Sequence, residues 1–459
     1  MTESDFFFMS TDTICALATA PGGALGIIRV SGPNAFGVVS SICHTDCRSV
    51  AANTVHYTHV VNADGETIDE VMISVFRAPH SYTSEDSVEI SCHGSRYILN
   101  KVLELLVRNG CRMANPGEYT QRAYLNGKMD LSQAEAVADL IASTNRSTHQ
   151  MAMSQLKGHF SSELGKLRDQ LLHLTSLLEL ELDFSDHEDL EFADRTALLN
   201  LATTIDGRIM QLADSFEKGQ ALRNGIPVAI VGKTNVGKST LLNRLLGDNR
   251  AIVSDVHGTT RDTIEDTIDI DGIQFRFIDT AGLRQTSDEI EQIGIERTKQ
   301  KIREARIVLW LMDSRPTDEE RQEMAQLTAG KSCLCVHTKA DLVDKATFVP
   351  YVTPMSLISA KTGEGIEQLK TSIVEAANVG GLSNDEVIIT NARHYDALFR
   401  AHDNIRRVID GLSPQSVLPP DLLSEDLRQV LDILAEITGG QITPQETLNN
   451  IFSHFCVGK

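Results

Sequence analysis

The first 127 residues alternate short apolar runs with turn residues, a pattern typical of a mixed α+β domain. The runs "TICALAT" (13–19) and "LGIIRV" (25–30) have strand composition, and the turn "APGGA" separates them. The segment "THVVNADGETIDEVMISVF" (58–76) predicts two strands joined at Asp64-Gly65. In "SRYILNKVLELLVRNG" (95–110), apolar residues recur at helical spacing up to Gly110. We therefore predict a first α+β domain over residues 1–127.

Two later stretches, 128–225 and 383–459, have helical periodicity. Ser132 and Glu135 match a capping box at the start of the first stretch, and Thr443-Pro444 with Glu446 predict the start of a last helix. Apolar residues at steps of three and four predict one helix in each stretch that is buried along one face. These residues are Leu167, Leu171, Leu174, Leu178 and Leu182 in the first stretch, and Leu423, Leu427, Val430, Leu434 and Ile437 in the second.

Between these stretches lies a block of alternating strands and helices, residues 226–382. It opens with "IPVAIVG" (226–232) and ends near the glycine-rich "NVGGLSN" (378–384). Alternating strands and helices are typical of a parallel sheet covered by helices. The predicted fold class is therefore multidomain α/β, with an α/β domain inserted in a helical domain.

Composition narrows the class of protein. The 459 residues allow about three domains. The formal net charge of −21 argues against a broad nucleic-acid-binding face, so we expect any nucleic acid to be held by a local patch or by a partner. No apolar run is long enough to span a membrane, and no positive charge precedes Arg29, as an export signal would require. The eight cysteines include no C-x-x-C pair, so we expect reduced thiols and a cytoplasmic protein.

A phosphate-binding loop follows the first strand of the inserted block. Gly232, Gly237, Lys238 and Ser239 have the P-loop spacing, between a predicted strand and a predicted helix. Free backbone N–H groups and the helix dipole favour phosphate there. Lys238 is expected to reach the β and γ phosphates, and Ser239 to bind Mg²⁺. The predicted contacts of this loop are Asn235, Val236, Gly237, Lys238, Ser239 and Thr240.

Three further motifs follow in the order found in GTPases. "DTAG" should lie near Mg²⁺ and the γ-phosphate, with Asp279, Thr280, Ala281 and Gly282 as contacts. "TKAD" and "SAK" should contact the base, through Thr338, Lys339, Asp341, Ser359, Ala360 and Lys361. A carboxylate at Asp341 can accept both N–H groups of guanine, which adenine does not offer. The block is therefore predicted to be a Ras-like P-loop G domain that takes GTP. Thr338 replaces the usual asparagine, which we expect to weaken nucleotide binding.

The segment "AIVSDVHGTTRD" (251–262) fits the first switch, with Thr260 as a second magnesium ligand. The side chain of Asn235 and oxygens of Ser254, Val256 and Thr259 suit a hard monovalent cation beside the phosphates.

Leu283 follows "DTAG" where Ras-like enzymes carry a glutamine that orients the attacking water. Either hydrolysis is poor or another group acts. The candidates are the carboxylates of Glu289, Glu291 and Glu296, although such a run is also typical of a solvated surface.

The chain also contains the blocks "GIIRVSG", "YTSEDSVEISCHG" and "NPGEYTQRAYLNGKMDLSQAEAVADLI" and the ending "IFSHFCVGK". Together with the GTPase motifs above, these blocks resemble the MnmE (TrmE) family of tRNA modification GTPases, and the resemblance covers nearly the whole chain. The resemblance implies a homodimer formed through the N-terminal domains and potassium-stimulated GTP hydrolysis. It also implies a heterotetramer with the flavin-dependent MnmG, which would hold most of the tRNA. Together they would modify C5 of the wobble uridine to aminomethyl or carboxymethylaminomethyl forms. The one-carbon unit would come from methylene-tetrahydrofolate, and the implied cofactor is a tetrahydrofolate derivative in the 5,10-methylene or 5-formyl form.

The same resemblance assigns roles to residues by motif position. It implies folate contacts at Arg29, Glu89, Lys128 and Lys459. It implies potassium ligands at Asn235, Ser254, Val256 and Thr259, and a catalytic glutamate at Glu291 beside the catalytic Lys238. The segment "FCVGK" (455–459), termed the tail below, would enter the folate pocket, anchored by Phe452 and Phe455. A frayed end is the alternative. Whether Cys456 is a nucleophile or a packing residue stays open.

Two other functions compete with this one. An Era-type ribosome-assembly GTPase would carry a basic RNA-binding appendage or a G-x-x-G loop after the G domain, and the acidic helical C-terminal stretch has neither. A folate-binding scaffold with a vestigial GTPase would not need Lys238, Ser239, Thr260 and Asp279, all of which are present.

Overall fold

The computed structural model describes residues 12–183, 195–247, 266–278, 299–344, 348–352, 354–378, 386–413, 420–440, 445–453 and 455–458. The chain divides into two compact units. Unit 1 comprises Met1–Ala142, Ala152–Arg208 and Ala397–Lys459, and unit 2 comprises Ser143–Met151 and Ile209–Asp396. Among the described helices, none combines the length and the apolar character needed to cross a bilayer.

The described strands are β1 (Thr13–Leu17), β2 (Leu25–Ser31), β3 (Thr54–Val61), β4 (Thr67–Phe76), β5 (Ser87–His93), β6 (Cys111–Met113), β7 (Ile226–Gly232), β8 (Asp266–Ile270), β9 (Ile273–Phe277), β10 (Ile307–Met312), β11 (Ser332–His337) and β12 (Met355–Leu357). The helices are α1 (Ala35–Ile42), α2 (Arg96–Arg108), α3 (Glu118–Leu125), α4 (Leu131–Ala142), α5 (Arg146–Leu156), α6 (His159–Asp183), α7 (Arg195–Asn224), α8 (Lys238–Gly247), α9 (Asp318–Leu327), α10 (Ile366–Ala377), α11 (Ala392–Leu412), α12 (Pro420–Thr438) and α13 (Gln445–Ser453).

The N-terminal part of unit 1 is a six-stranded sheet of order β3-β4-β5-β2-β1-β6. The hairpin predicted around Asp64-Gly65 is confirmed, since β3 and β4 pair antiparallel on either side of it. Helices α1 and α2 bury one face of the sheet. On the other face α3 covers the β1 end, where Tyr119 packs on Ile14 and Ala16. Toward β3 this face is open, with Tyr57 60% and Met72 42% exposed.

The helical part of unit 1 confirms both predicted apolar stripes. Leu167, Leu171, Leu174 and Leu178 of α6 are buried, and so are the five stripe residues of α12. The two helices pack against each other, which explains why each carries a stripe. The side chain of Leu182 and the predicted cap at Thr443-Pro444 lie outside the described residues.

The predicted capping box at Ser132 and Glu135 is wrong. The cap lies two residues earlier, where the Gln133 N–H donates to Asp130 Oδ1 at 2.9 Å and the Asp130 N–H donates to Gln133 Oε1 at 3.0 Å. The reason is burial, because Leu131 is completely buried in the first turn of α4 and this turn must therefore begin before Ser132. Ser132 and Glu135 are both buried inside the helix.

Unit 2 contains a second six-stranded sheet, of order β12-β11-β10-β7-β9-β8. All neighbours are parallel except β8, which is antiparallel to β9. Helices α8 and α10 contribute to the apolar core under the sheet. The start of α5 also belongs to this unit, because the Ser147 N–H donates to the Gly272 carbonyl at 3.0 Å in the β8–β9 turn. The sequence did not predict that contact.

Candidate functional site

The predicted P-loop has the expected strand–loop–helix structure. β7 ends at Gly232 and α8 begins at Lys238, so the loop presents the N-terminal turn of the helix. Asn235 lies in the left-handed region (φ 60°), which an asparagine tolerates better than most residues. Lys238 Nζ donates to the carbonyls of Gly232 and Lys233, both at 2.8 Å. The ammonium group is therefore held over the loop where an anion would bind.

The electrostatics of Lys238 favour an anionic ligand. Burial of the ammonium lowers its pKa, and the charge of Lys301 lowers it further. A phosphate would compensate both effects, because opposite charge stabilises the protonated form. The position of Lys238 at the N-terminus of a ten-residue helix adds the helix dipole to this attraction.

The segment predicted to contact the base is hydrogen-bonded to the P-loop. Thr338 follows β11 and is only 3% exposed. Its Oγ1 donates to the Val236 carbonyl at 2.7 Å, and its backbone N–H donates to the Met312 carbonyl at 2.8 Å. Threonine thus links the two motifs directly through its hydroxyl group, and the expected weakening of nucleotide binding stays a prediction.

Asp341 is presented as an ionised acceptor. Its carboxylate is exposed, and the buried Ser359 donates to its Oδ1 at 2.6 Å. That hydrogen bond holds the pKa of Asp341 below its ordinary value, and Lys361 adds a favourable charge. The structure therefore brings together the predicted base contacts of "TKAD" and "SAK". Next to them, Lys339 pairs with Asp313 at 2.6 Å.

A cavity of about 810 Å³ opens beside the P-loop, between the end of β10 and α9. Its lining includes Thr234, Lys238 and Asp313. Asp341 and Ser359 do not line it, so this cavity covers only the Lys238 side of the predicted nucleotide site.

Several predicted contacts lie outside the described residues. They are Ser254, Val256, Thr259, Thr260, Asp279, Thr280, Ala281, Gly282, Glu291 and Lys459. Of the proposed cation ligands, the structure describes Asn235 and Ser239, which offer oxygen donors suited to hard cations. Over the described ranges, no three His, Cys, Asp or Glu side chains gather in a way that could hold a metal.

A second cluster forms in unit 1, around Arg29. Arg29 and Glu89 face each other across β2 and β5. Arg29 Nε and Nη2 both donate to Glu89 Oε1, at 2.9 and 2.7 Å. The guanidinium lies over the rings of Tyr82 and Tyr119, at 5.4 and 5.6 Å from their centroids. Two predicted folate contacts 60 positions apart in the chain are thus adjacent.

The tail reaches this cluster. The Gly458 carbonyl accepts a hydrogen bond from Arg29 Nη1 at 3.2 Å, and the Cys456 carbonyl accepts one from the Gly117 N–H at 3.3 Å. Phe452, which lies in α13, and Phe455 are 2% and 9% exposed and belong to one apolar cluster with residues of α4. The anchoring of the tail in the N-terminal part of the chain is therefore confirmed, and the frayed alternative is wrong.

The other predicted residues of this cluster differ in position. The Cys456 side chain is exposed, unlike most cysteines of the described chain. Lys128 is exposed just beyond α3.

The sequence alone did not indicate Gly117, Tyr82 and Tyr119, although Gly117 and Tyr119 stand in the block "NPGEYTQRAYLNGK". The Pro-Gly turn before a short helix was the signal that could have indicated a close backbone contact.

Comparison with known proteins separates the N-terminal part of the chain from the rest. A family described as the N-terminus of the GTP-binding protein TrmE matches residues 13–128, and one described as the MnmE helical domain matches residues 131–456. The tRNA modification GTPase MnmE of Phocaeicola vulgatus is 52% identical over 98% of this chain and 99% of its own. The protein of the same name from Bacteroides thetaiotaomicron is 51% identical over 98% and 100%.

Among solved structures, the G domain of the T. maritima FeoB iron transporter covers 33% of this chain and 99% of its own. It is 25% identical in sequence, with a TM-score of 0.25.

Proposed function

Because the chain belongs to the MnmE (TrmE) family of tRNA modification GTPases, we propose that it hydrolyses GTP and that this hydrolysis serves tRNA modification in the cytoplasm. The observation that carries the proposal is the bond from Thr338 to Val236, which joins a guanine-reading segment to a P-loop. Lys238 would hold the β and γ phosphates, and Asp341 would accept from the guanine base.

Hydrolysis of GTP by the purified full chain tests this proposal. The protein should hydrolyse GTP and leave ATP intact, because only guanine offers the paired donors that Asp341 accepts. Lys238→Ala should abolish turnover, since it removes the ammonium group that lies over the loop carbonyls of Gly232 and Lys233. Equal turnover of ATP, or full activity of Lys238→Ala, would contradict it.

The cation requirement is also part of the proposal. Bound K⁺ would neutralise charge at the β–γ bridge, the task that an arginine finger has in other GTPases. Asn235, Ser254, Val256 and Thr259 would hold it, Ser239 and Thr260 would hold Mg²⁺, and Glu291 would align the attacking water. Only Asn235 and Ser239 of these are described, and the remaining assignments rest on the family resemblance.

We propose that the cluster around Arg29 binds a tetrahydrofolate derivative as the donor of the one-carbon unit. Both hydrogen bonds that Arg29 donates to Glu89 go to its Oε1 atom. Within the described part of the chain, no hydrogen bond engages Glu89 Oε2, so this oxygen can accept from the N–H groups of a pterin ring. The partly exposed Tyr82 offers aromatic surface, and Lys128 and Lys459 would pair with the glutamyl carboxylates.

The exposed side chain of Cys456 supports a chemical role and not a packing role. It stands two residues before Gly458, whose carbonyl is bonded to Arg29. A thiol placed there would be near the one-carbon unit of the bound folate. We propose that this site acts with the flavin-dependent partner MnmG on C5 of the wobble uridine of certain tRNAs, in a heterotetramer.

The open face of the N-terminal sheet supports a homodimer. Val55 is exposed in the row that contains Arg29 and Glu89, and Tyr57 and Met72 are exposed in a neighbouring row. Apolar side chains on an open sheet face favour pairing with another copy. The acidic net charge of −21 is consistent with a partner that holds most of the tRNA.

A further inference from the structure

Helix α3 contacts both the segment that carries the tail and the cluster around Arg29. Tyr119 of α3 donates its hydroxyl to the Arg29 carbonyl at 2.7 Å, and its ring lies under the guanidinium. At the other end of α3, Tyr124 donates to the Gly439 carbonyl at 3.1 Å, just after α12. One short helix thus contacts both Arg29 and the residue that follows α12.

The start of α3 touches the tail through Gly117. Its backbone N–H donates to the Cys456 carbonyl at 3.3 Å. A Cβ atom built on Gly117 would lie 2.7 Å from the Phe452 carbonyl oxygen and 3.0 Å from Phe455 Cβ. Real Cβ atoms essentially never approach so closely, and the nearest obstacle is backbone, which cannot rotate away. Any larger residue at 117 would therefore push α13 and the tail aside.

The other end of the tail fits as closely. A Cβ atom on Gly458 would lie 2.4 Å from the Leu17 carbonyl oxygen. Between these two contacts stands Cys456, whose side chain is exposed and which makes its described hydrogen bond through the backbone. The position of its thiol is thus set by the backbone on either side of it.

From these contacts we infer that Gly117 is a positioning residue, which sets where the Cys456 thiol stands relative to Arg29 and the bound folate. The inference rests on the proposed folate function. Gly117 acts through the tail and does not itself touch the ligand. A displacement of about 1 Å at a reacting group can cost roughly 10²-fold in rate, so a small shift of the tail is enough to matter.

Gly65 provides a matched control. It lies in the same N-terminal sheet domain, in the β3–β4 turn, and has φ 81° against 68° for Gly117. Alanine at either position is destabilising, because a residue with a Cβ atom is strained in the left-handed region. No atom lies within 4 Å of a Cβ placed on Gly65, whereas Gly117 meets the tail. The difference between Gly117→Ala and Gly65→Ala therefore isolates the contact with the tail from the backbone strain.

The experiment compares the two variants with the unmodified full chain in four measurements. These are hydrogen–deuterium exchange of the peptide that covers Phe452 to Gly458, binding of 5-formyl-tetrahydrofolate, tRNA modification, and GTP hydrolysis. For Gly117→Ala we expect exchange of that peptide to rise by about tenfold or more, folate affinity to fall, and tRNA modification to fall roughly 10²-fold. GTP hydrolysis should stay unchanged in both variants, and Gly65→Ala should keep the unmodified exchange and folate affinity.

Equal exchange and equal folate affinity in Gly117→Ala and Gly65→Ala would overturn the inference and leave the folate proposal standing. If the unmodified chain does not bind the folate, the folate proposal fails, and the exchange data still decide whether Gly117 holds the tail. If Gly117→Ala does not fold, deuterium exchange of the unmodified chain decides in its place, because the Gly117 N–H donates to the Cys456 carbonyl. The Gly117 amide must then be protected from exchange together with the tail peptide, and rapid exchange of the Gly117 amide would overturn the inference.

Discussion

At the scale of single residues, Thr338 shows how a departure from a familiar motif is accommodated. The side chain of threonine is shorter than that of the usual asparagine. Its hydroxyl nevertheless reaches the Val236 carbonyl at 2.7 Å, because the loop after β11 lies close to the P-loop. The contact joins two segments 102 positions apart, so the sequence could identify only that threonine replaces asparagine. The hydrogen bond that Thr338 makes to the P-loop could be identified only from the structure.

Removing the Thr338 hydroxyl should weaken nucleotide binding. In Thr338→Ala the buried Val236 carbonyl loses its donor, at a cost of about 1 kcal/mol, or roughly fivefold in affinity for GTP. Thr338→Ser keeps the hydroxyl and is the matched control, expected to bind as the unmodified chain does. Equilibrium titration with a fluorescent guanine nucleotide measures both. An affinity for Thr338→Ala equal to that of Thr338→Ser would contradict the role of this hydrogen bond.

Asp341→Asn should change the base that is read. The amide replaces one acceptor by a donor, so it no longer matches guanine and does match xanthine. Loss of a charged hydrogen bond costs about 1.5–3 kcal/mol, which is at least tenfold in affinity for GTP. Competition between GTP and xanthosine triphosphate measures the preference. If GTP still binds Asp341→Asn with full affinity, Asp341 is not the base reader.

At the scale of elements, local pattern predicted most helices and strands, and long-range packing decided the rest. The stripes of α6 and α12, the hairpin of β3 and β4, and the P-loop before α8 all follow from spacing within one element. The start of α4 did not, because Asp130 with Gln133 and Ser132 with Glu135 both match a capping box and only burial of Leu131 distinguishes them. Likewise, nothing in the local sequence pairs Gly117 with Cys456.

Helix α3 depends on a buried ionic network at its first residue. Glu118 accepts from Arg112 at 2.5 Å, from Arg122 at 2.9 Å and from the Asn115 N–H at 2.8 Å. Burial would raise the pKa of Glu118, but the bonds from Arg112, Asn115 and Arg122 outweigh it and the pKa lies below its ordinary value. A lowered folded-state pKa means that Glu118 stabilises the fold at neutral pH. This contribution is lost as the pH falls below about 4.3 and through the lowered pKa.

Glu118→Gln should therefore destabilise the N-terminal part of unit 1 by about 3–5 kcal/mol, because two arginines lose a buried counter-charge. The control is Glu104→Gln on α2, whose exposed carboxylate pairs with Lys101 and should matter little. Thermal unfolding at neutral pH and at pH 4 measures both. The difference in stability between Glu118→Gln and the unmodified chain should become smaller as the pH falls. A difference that stays constant down to strongly acidic pH would contradict the stabilising role of the ionised Glu118.

At the scale of the whole molecule, two clusters far apart in the sequence would serve one reaction. The G-domain cluster lies in unit 2 and the cluster around Arg29 in unit 1, so each can be impaired separately. Variants of the tail should leave basal GTP hydrolysis unchanged. Variants of the P-loop should leave folate binding unchanged.

Potassium dependence tests how the G domain hydrolyses GTP with Leu283 in place of glutamine. Hydrolysis should be faster in K⁺ than in Na⁺, by up to about 10³-fold if K⁺ replaces an arginine finger, and G domains should pair with aluminium fluoride and GDP. Asn235→Ala should lose the potassium effect and keep GTP binding. Glu291→Ala should pair without turnover. Equal rates in sodium and potassium would contradict the role of the cation, and a fully active Glu291→Ala would indicate Glu289 instead.

The tail and the G domain are expected to act together in modification of the wobble uridine. Mass spectrometry of tRNA measures this in a strain whose only copy of this chain carries Cys456→Ser. The comparison strains carry the unmodified chain, Lys238→Ala or no copy. We expect aminomethyl or carboxymethylaminomethyl uridine only with the unmodified chain, while purified Cys456→Ser keeps its GTP hydrolysis. Modified wobble uridines at the normal level in the strain with no copy would contradict a role of this protein in tRNA modification, and the same result with Cys456→Ser would contradict the role of the tail.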